Sequence, residues 1–157
     1  MEETFIQYYP SPIGVLEITA NNKSILSIHF VKEKKEDNYN NITLKGYRQL
    51  QEYLEGDRRE FDLPLEPVGT EFQQKVWMEL QNIPYGKVIS YLELAKRLGD
   101  EKVIRAAAAA NGKNPIGIVI PCHRVIGSNG DLVGYAGGLD KKKLLLQHEG
   151  VLSKPLF

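Results

Sequence analysis

The feature that most limits what this chain can fold into is a change of hydrophobic period part-way along it. Before about residue 66 the apolar residues come in short β-rich runs: Phe5 to Tyr9, Gly14 to Ala20 and Ile25 to Phe30. Pro10-Ser11-Pro12 and Asn21-Asn22-Lys23 separate them as turns. Runs of that length with turn residues between them predict an antiparallel meander. The polar stretch Lys32 to Asn41 predicts a solvated loop. Tyr47, Leu50 and Leu54 then recur at helical spacing, with Gly56 as the stop. Phe61, Leu63 and Leu65 alternate until Pro64 and Pro67 break the pattern, which places a linker near Leu65 to Gly69.

Beyond the linker the period is helical. Thr70-x-x-Gln73 has the form of a capping box, which satisfies two orphan backbone donors at a helix start. Phe72, Val76, Trp77 and Leu80 give that helix an apolar face. Ile83-Pro84-Tyr85-Gly86-Lys87 reads as a turn. Ser90-x-x-Glu93 is a second capping-box pattern, opening a helix from Tyr91 to Leu98 that Gly99 closes. A third helix is expected from about Glu101 to Ala110, ended by Asn111-Gly112. The last starts near Asp140 and runs to His148, with Leu144, Leu145 and Leu146 facing the body. A short helix, a tight turn and a second helix make a helix-turn-helix candidate. The expected fold is α/β in the α+β sense, with a domain of antiparallel sheet and helix over 1–66 and a helical domain over 67–157.

Composition narrows the function classes. A hydrophobic content of 42% and a charged content of 25% are ordinary for a soluble globular chain. No apolar run is long enough to span a membrane, and Met1-Glu2-Glu3-Thr4 has no export pattern. A single cysteine excludes an intrachain disulfide and makes a reducing cytoplasm the expected location. The net charge of zero hides an asymmetry. Residues 1–66 hold eight Lys/Arg against twelve Asp/Glu, and residues 67–157 hold twelve against eight. A basic half points to a polyanion. The run Arg105-Ala106-Ala107-Ala108-Ala109-Ala110 fits a helix packed tightly in its own domain, or one that lies close against a DNA groove with Arg105 as its one long cation.

The only cysteine, Cys122, follows the apolar run Ile116-Gly117-Ile118-Val119-Ile120, which reads as a buried strand that Pro121 ends. A lone thiol is either an inert buried group or a nucleophile with a base beside it. His123 is the nearest base, and neighbours on an extended chain point apart, so a bridging water is the natural route between them. A carboxylate would best orient the far ring nitrogen, and Glu149, Asp131 and Asp140 all remain candidates. The three histidines, His29, His123 and His148, form no HxxxH pair and there is no CxxC, so no metal site is expected. Gly134-Tyr135-Ala136-Gly137-Gly138 lacks the Gly-Lys-Ser/Thr ending of a phosphate loop, but its glycines would let backbone come close to a ligand.

Pro121-Cys122-His123-Arg124-Val125 resembles the signature of the O6-alkylguanine-DNA alkyltransferases. Ile83-Pro84-Tyr85-Gly86, Ser90-Tyr91, Arg105-Ala106, Asn114-Pro115, the Gly134–Gly138 run and His148-Glu149-Gly150 match in the same order. The resemblance covers roughly residues 70–150. It implies a ribonuclease-H-like N-terminal domain and a C-terminal winged helix-turn-helix domain. It implies a single-turnover repair protein, a methylated-DNA–protein-cysteine methyltransferase, that flips O6-alkylguanine out of double-stranded DNA and moves the alkyl group irreversibly onto Cys122. His123 would act through water as base, Glu149 would orient it, and Asn114 would brace the turn of the active-site loop. Tyr91 would crowd the 3′ phosphate and donate to guanine N3. Arg105 would replace the extruded base, with Ala106 on the same DNA-facing helix, and Ser128 would touch the DNA backbone. Cys122, Val125 and Ala136 would bind the flipped base through their backbones, with Tyr135 as a pocket wall.

Some relatives carry serine where this chain has Ala136, but the implied contact is a backbone N–H. Docking through the minor groove, no cofactor, no metal, no membrane and a monomeric state complete the implied picture, with O4-alkylthymine left open as a substrate. Three other readings compete: a non-catalytic sensor of alkylated DNA, which would lack the acceptor cysteine; a cysteine hydrolase, which would turn over repeatedly; and a plain winged-helix regulator, for which Cys122 would be dispensable.

Overall fold

The computed structural model describes residues 3–153, so Met1 and Glu2 of the acidic start lie outside the described residues. The chain forms two compact units. One runs to Val68 and includes Pro115–Val119; the other takes Gly69–Asn114 and the chain from Ile120 on. The expected division at 66/67 lies two residues from this boundary, and the expected second range is interrupted by the inserted segment.

In the first unit β1 (Phe5–Ser11), β2 (Gly14–Ala20) and β3 (Ile25–Val31) form an antiparallel sheet in that order. The expected turn at Pro10-Ser11-Pro12 starts later, because Pro10 pairs with Val15 inside the ladder. β1 is an edge strand, where a residue without an N–H is tolerated. Helix α1 (Asn41–Leu54) opens with a reciprocal capping box between Asn40 and Thr43. It approaches the sheet closely at Gly46, where a Cβ would lie 3.2 Å from Ile25 Cδ1. Tyr9 and Tyr47 pack with ring centroids 4.6 Å apart. The polar stretch before α1 is more than a solvated loop. Ile6 and Asn38 exchange backbone hydrogen bonds of 2.9 and 2.8 Å, and Tyr8 N donates to Asp37 Oδ1 at 2.9 Å. These bonds satisfy an edge that would otherwise be open.

Ile116 to Ile120 is buried as expected but is not a strand. Only Ile116 bridges to β3, opposite Ile28. Val119 N then bonds back to Gly117 O at 2.8 Å around Ile118, whose φ is +69°. That is a γ-turn centred on a β-branched residue in the left-handed region, a conformation costing about 1–3 kcal/mol that burial of Ile118 holds in place. A second turn of the same size follows, from Cys122 N to Ile120 O at 2.8 Å around Pro121. Backbone groups are spent on these local bonds, so no ladder can extend.

The second unit contains α2 (Glu71–Leu80), α3 (Tyr91–Arg97), α4 (Ile104–Gly112) and α5 (Leu139–His148), with a two-residue parallel pair of β4 (Ile89–Ser90) and β5 (Val125–Ile126). The Thr70 capping box is complete. At Ser90 only half of the box forms: the hydroxyl accepts from Glu93 N, while the Glu93 carboxylate turns to Arg97 at 3.4 Å. A short 3-10 turn, Glu101–Val103, precedes α4, and α4 continues through Asn111-Gly112 rather than ending before them. Trp77 Nε1 donates to Ala110 O at 2.8 Å, tying α2 to the alanine helix. On α5 the expected trio of leucines is broken. Leu145 and Leu146 are buried, but Leu144 is 39% exposed, because a helix turns about 100° per residue and cannot aim three consecutive side chains one way. Lys142 takes the buried place instead.

Candidate active site

Cys122, His123 and Arg124 form a single 3-10 turn between Pro121 and β5. The turn removes the strand alternation that would have thrown the cysteine and the histidine to opposite sides, and all three side chains are buried. Asn114, just past α4, sends its Nδ2 to Ile120 O at 2.8 Å and to Cys122 Sγ at 3.1 Å. One amide therefore braces the turn and solvates the sulfur. Asn111, on α4, donates to the Cys122 carbonyl at 3.3 Å. Burial pushes the Cys122 thiol up, while the Asn114 hydrogen bond and the charge of Lys142 pull it back.

Of the three candidate carboxylates, the structure puts Glu149 on the histidine, with Oε2 2.8 Å from His123 Nε2. Asp131 is exposed and engaged with Asn129, and Asp140 is exposed at the start of α5. Glu149 has further partners. Arg124 Nε donates to Oε1 and Nη2 to Oε2, each at 2.9 Å, and Gly86 N donates to Oε1 at 3.2 Å. Arg124 Nη1 closes on Ile83 O at 2.7 Å. The turn Ile83-Pro84-Tyr85-Gly86 thus supplies a carbonyl and an amide to the pair. Burial alone would raise the Glu149 carboxyl, but the hydrogen bonds and charge of His123 and Arg124 hold it well below the usual range. It is therefore an ionised acceptor. Burial holds His123 below its ordinary value against the pull of Glu149, so the ring is neutral near pH 7. A neutral ring facing an acceptor carries its proton on Nε2, which leaves Nδ1 as a bare lone pair. Nδ1 is buried and has no hydrogen-bond partner among the described residues.

A cavity of about 480 Å³ lies nearby, lined by Gly112, Val133, Gly134, Tyr135, Ala136, Gly138 and Leu139. It is lined by Tyr135, the expected wall, and by Ala136, the expected backbone contact to the base. Val125 is buried, and its carbonyl accepts from Lys142 Nζ at 2.6 Å. Tyr91 is 9% exposed and its hydroxyl donates to Val133 O at 2.9 Å. Arg105, Ala106 and Ala109 form the exposed side of α4, and Ser128 is exposed in the loop after β5. The residues that sequence reasoning missed are Asn111, the clamping role of Arg124, and Lys142. The spacing of Lys142, Leu145, Leu146 and Glu149 places them on one helical stripe, which was the available signal for Lys142. Among the described residues no group of three or more His, Cys, Asp or Glu side chains is placed to hold a metal ion, and no helix is long and apolar enough to cross a membrane.

Comparison with known proteins gives the family of the chain. Residues 71–151 match the family described as 6-O-methylguanine DNA methyltransferase, DNA binding domain, and residues 5–67 match its ribonuclease-like domain. A methylated-DNA–protein-cysteine methyltransferase of Methanosarcina acetivorans is 44% identical over 90% of this chain and 96% of its own length. The crystal structure of the Mycobacterium tuberculosis O6-methylguanine methyltransferase superposes with a TM-score of 0.85 at 36% identity, covering 99% of this chain and 97% of that one. The M. tuberculosis protein in complex with DNA gives 0.83 at 39% identity over 92% and 91% of the two chains. This chain belongs to the 6-O-methylguanine DNA methyltransferase family.

Proposed function

We propose that the protein repairs alkylated DNA by accepting the alkyl group of O6-alkylguanine on Cys122, once per molecule. The observation that carries this reading is the ordered chain Glu149–His123 beside a buried thiol that Asn114 solvates. The bare Nδ1 of His123 takes the thiol proton through a bridging water, since Nε2 is committed to Glu149. The thiolate attacks the alkyl carbon in line with O6. The S–C bond forms as the C–O6 bond breaks, and the electron pair stays on the guanine. Net, the thiol proton ends on the guanine and the protein keeps a thioether. Nothing in the step regenerates the thiol, so the protein is a stoichiometric enzyme.

Reaching O6 requires the base to leave the stack. The exposed side of α4, with Arg105 and the small Ala106, suits close approach to the minor groove and filling of the vacated space. Ser128 would take a backbone phosphate. The backbones of Cys122, Val125 and Ala136, with Tyr91 and Tyr135, would hold the flipped base. One protein copy per lesion and a cytoplasmic location belong to the same reading.

The test uses duplex DNA with one radiolabelled O6-methylguanine. One methyl per protein, mapped to Cys122 and absent in Cys122→Ser, is expected. Tight binding to the lesion without transfer would favour a sensor, and repeated turnover would favour a hydrolase. The same assay with O4-methylthymine defines the substrate range.

A further inference from the structure

The pocket loop between β5 and α5 is held from inside through one carbonyl. Val133 O accepts from the Tyr91 hydroxyl at 2.9 Å and from Lys142 Nζ at 2.7 Å. Lys142 is fully buried and also donates to Val125 O at 2.6 Å, so its ammonium ties the first residue of β5 to the middle of the loop. Its Nζ lies 5.7 Å from the centroid of the Tyr91 ring. Gly134 makes the arrangement possible. Its φ is +67°, and a Cβ there would stand 3.1 Å from the Tyr91 hydroxyl oxygen. The next residues, Tyr135 and Ala136, line the cavity.

A phenol has one proton to donate. In the free protein Tyr91 spends it on Val133. In the function proposed above, on which this inference rests, Tyr91 helps to hold the flipped base, and its hydroxyl would do so by giving the same proton to guanine N3. Both bonds cannot be made at once. We infer that the Tyr91 hydroxyl is a latch that changes partner, from Val133 O to the entering base, and that Lys142 is the positioning residue that keeps Val133 bonded and the pocket wall in place during the change. Two donors fill both lone pairs of the Val133 carbonyl, so it keeps one partner when the other leaves. Without Lys142, release of Tyr91 would strip the carbonyl of both protein donors, and base entry would carry that cost.

The test measures single-turnover transfer from duplexes holding O6-methylguanine or 3-deaza-O6-methylguanine, in which N3 is replaced by C–H. Wild-type protein is expected to be roughly tenfold slower on the deaza base, the size of one lost hydrogen bond. Lys142→Met is expected to slow the natural base by roughly tenfold but the deaza base far less, because there Tyr91 never leaves Val133. The discrimination between the bases should collapse. Equal slowing of both bases by Lys142→Met would overturn the inference and leave the lysine a purely structural role. Equal wild-type rates on both bases would overturn the partner change.

A second measurement does not depend on the lysine variant folding. In free Tyr91→Phe, hydrogen exchange at Gly127 and Gly138, whose amides are bonded within the loop, should stay close to wild type because Lys142 still holds Val133. Loss of that protection would sink the latch. No transfer by the wild-type protein from either base would instead refute the proposed function, and the latch with it.

Discussion

Among the described residues of the second unit two cations are buried, and they are treated in opposite ways. Arg124 meets a carboxylate in a two-pronged pair, with Glu149 accepting at both oxygens. Lys142 meets only carbonyls, those of Val125 and Val133, and it forms no ion pair among the described residues. The arginine region is electrically closed: each charge answers the other, and Gly86 and Ile83 complete the shell. The lysine region is electrically open. Burial lowers the ammonium from its ordinary value to about 8, with the nearby Cys122 pulling the other way. A closed pair fixes geometry, as the base's orienter requires. An open charge leaves a field for the sulfur beside it.

The sharpest way to break this contrast is to remove one side of the closed pair. Glu149→Ala strands Arg124 in the interior and should destabilise the protein by about 3–5 kcal/mol in chemical denaturation. A loss under 1 kcal/mol would show that the pair is not closed. The same region can be opened by acid. His123 has a lowered folded value, so below its unfolded value of 6.5 the unfolded chain binds more protons, and stability falls as pH drops from there. Glu149 is also depressed, so its contribution is present above the unfolded carboxyl value of 4.5 and lost as pH falls further. Thermal melts from pH 7 down to about pH 2 should therefore decline in two stages, and Glu149→Gln should remove the lower one, which lies below pH 4.5.

Lys142→Met should cost less than the glutamate change, about 1–2 kcal/mol, because a lost hydrogen bond at Val125 is offset by relief of an uncompensated charge. Equal penalties for the two variants would erase the distinction. At the small end, Arg97→Ala removes an i,i+4 pair with Glu93 at 3.4 Å and a longer pair with Glu79 at 3.9 Å and should shift stability by only about 0.5–1 kcal/mol, which calibrates what a solvated cation contributes.

The periodic parts of the molecule were legible from residues alone. β2 runs over the residues its alternation marks, and Thr70 caps α2 as its spacing requires. The chemistry was legible as neighbours in sequence, since Cys122 and His123 stand side by side. What the residues did not disclose is the 3-10 turn on which both are buried, because Ile116 to Ile120 has the composition of a strand while its backbone bonds are local. Lys142 escaped for a different reason. It sits between Lys141 and Lys143, and lysine is almost never fully buried, so composition argues for a solvated face where the stripe argues for the core. Tyr91 was placed at the right helix start, but the inward path of its hydroxyl depends on Gly134, which is far away in sequence.

The segment Pro115–Val119 carries a consequence for how the protein comes into being. It belongs to the first unit, and Ile116 bridges to Ile28 across most of the chain's length. Ile28 N bonds to Pro115 O at 2.9 Å and Gly117 N to Ile28 O at 3.0 Å. During synthesis the first unit therefore cannot close until the ribosome has released the chain beyond Val119, by which point three of the second unit's four α-helices have already been made. Completion of the early half waits on the late half, with the slow closure expected of a contact so distant in sequence. A ribosome that stalls between the units would leave β3 without its bridge to Ile116, and a gene cut at that boundary would deprive the first unit of Pro115–Val119.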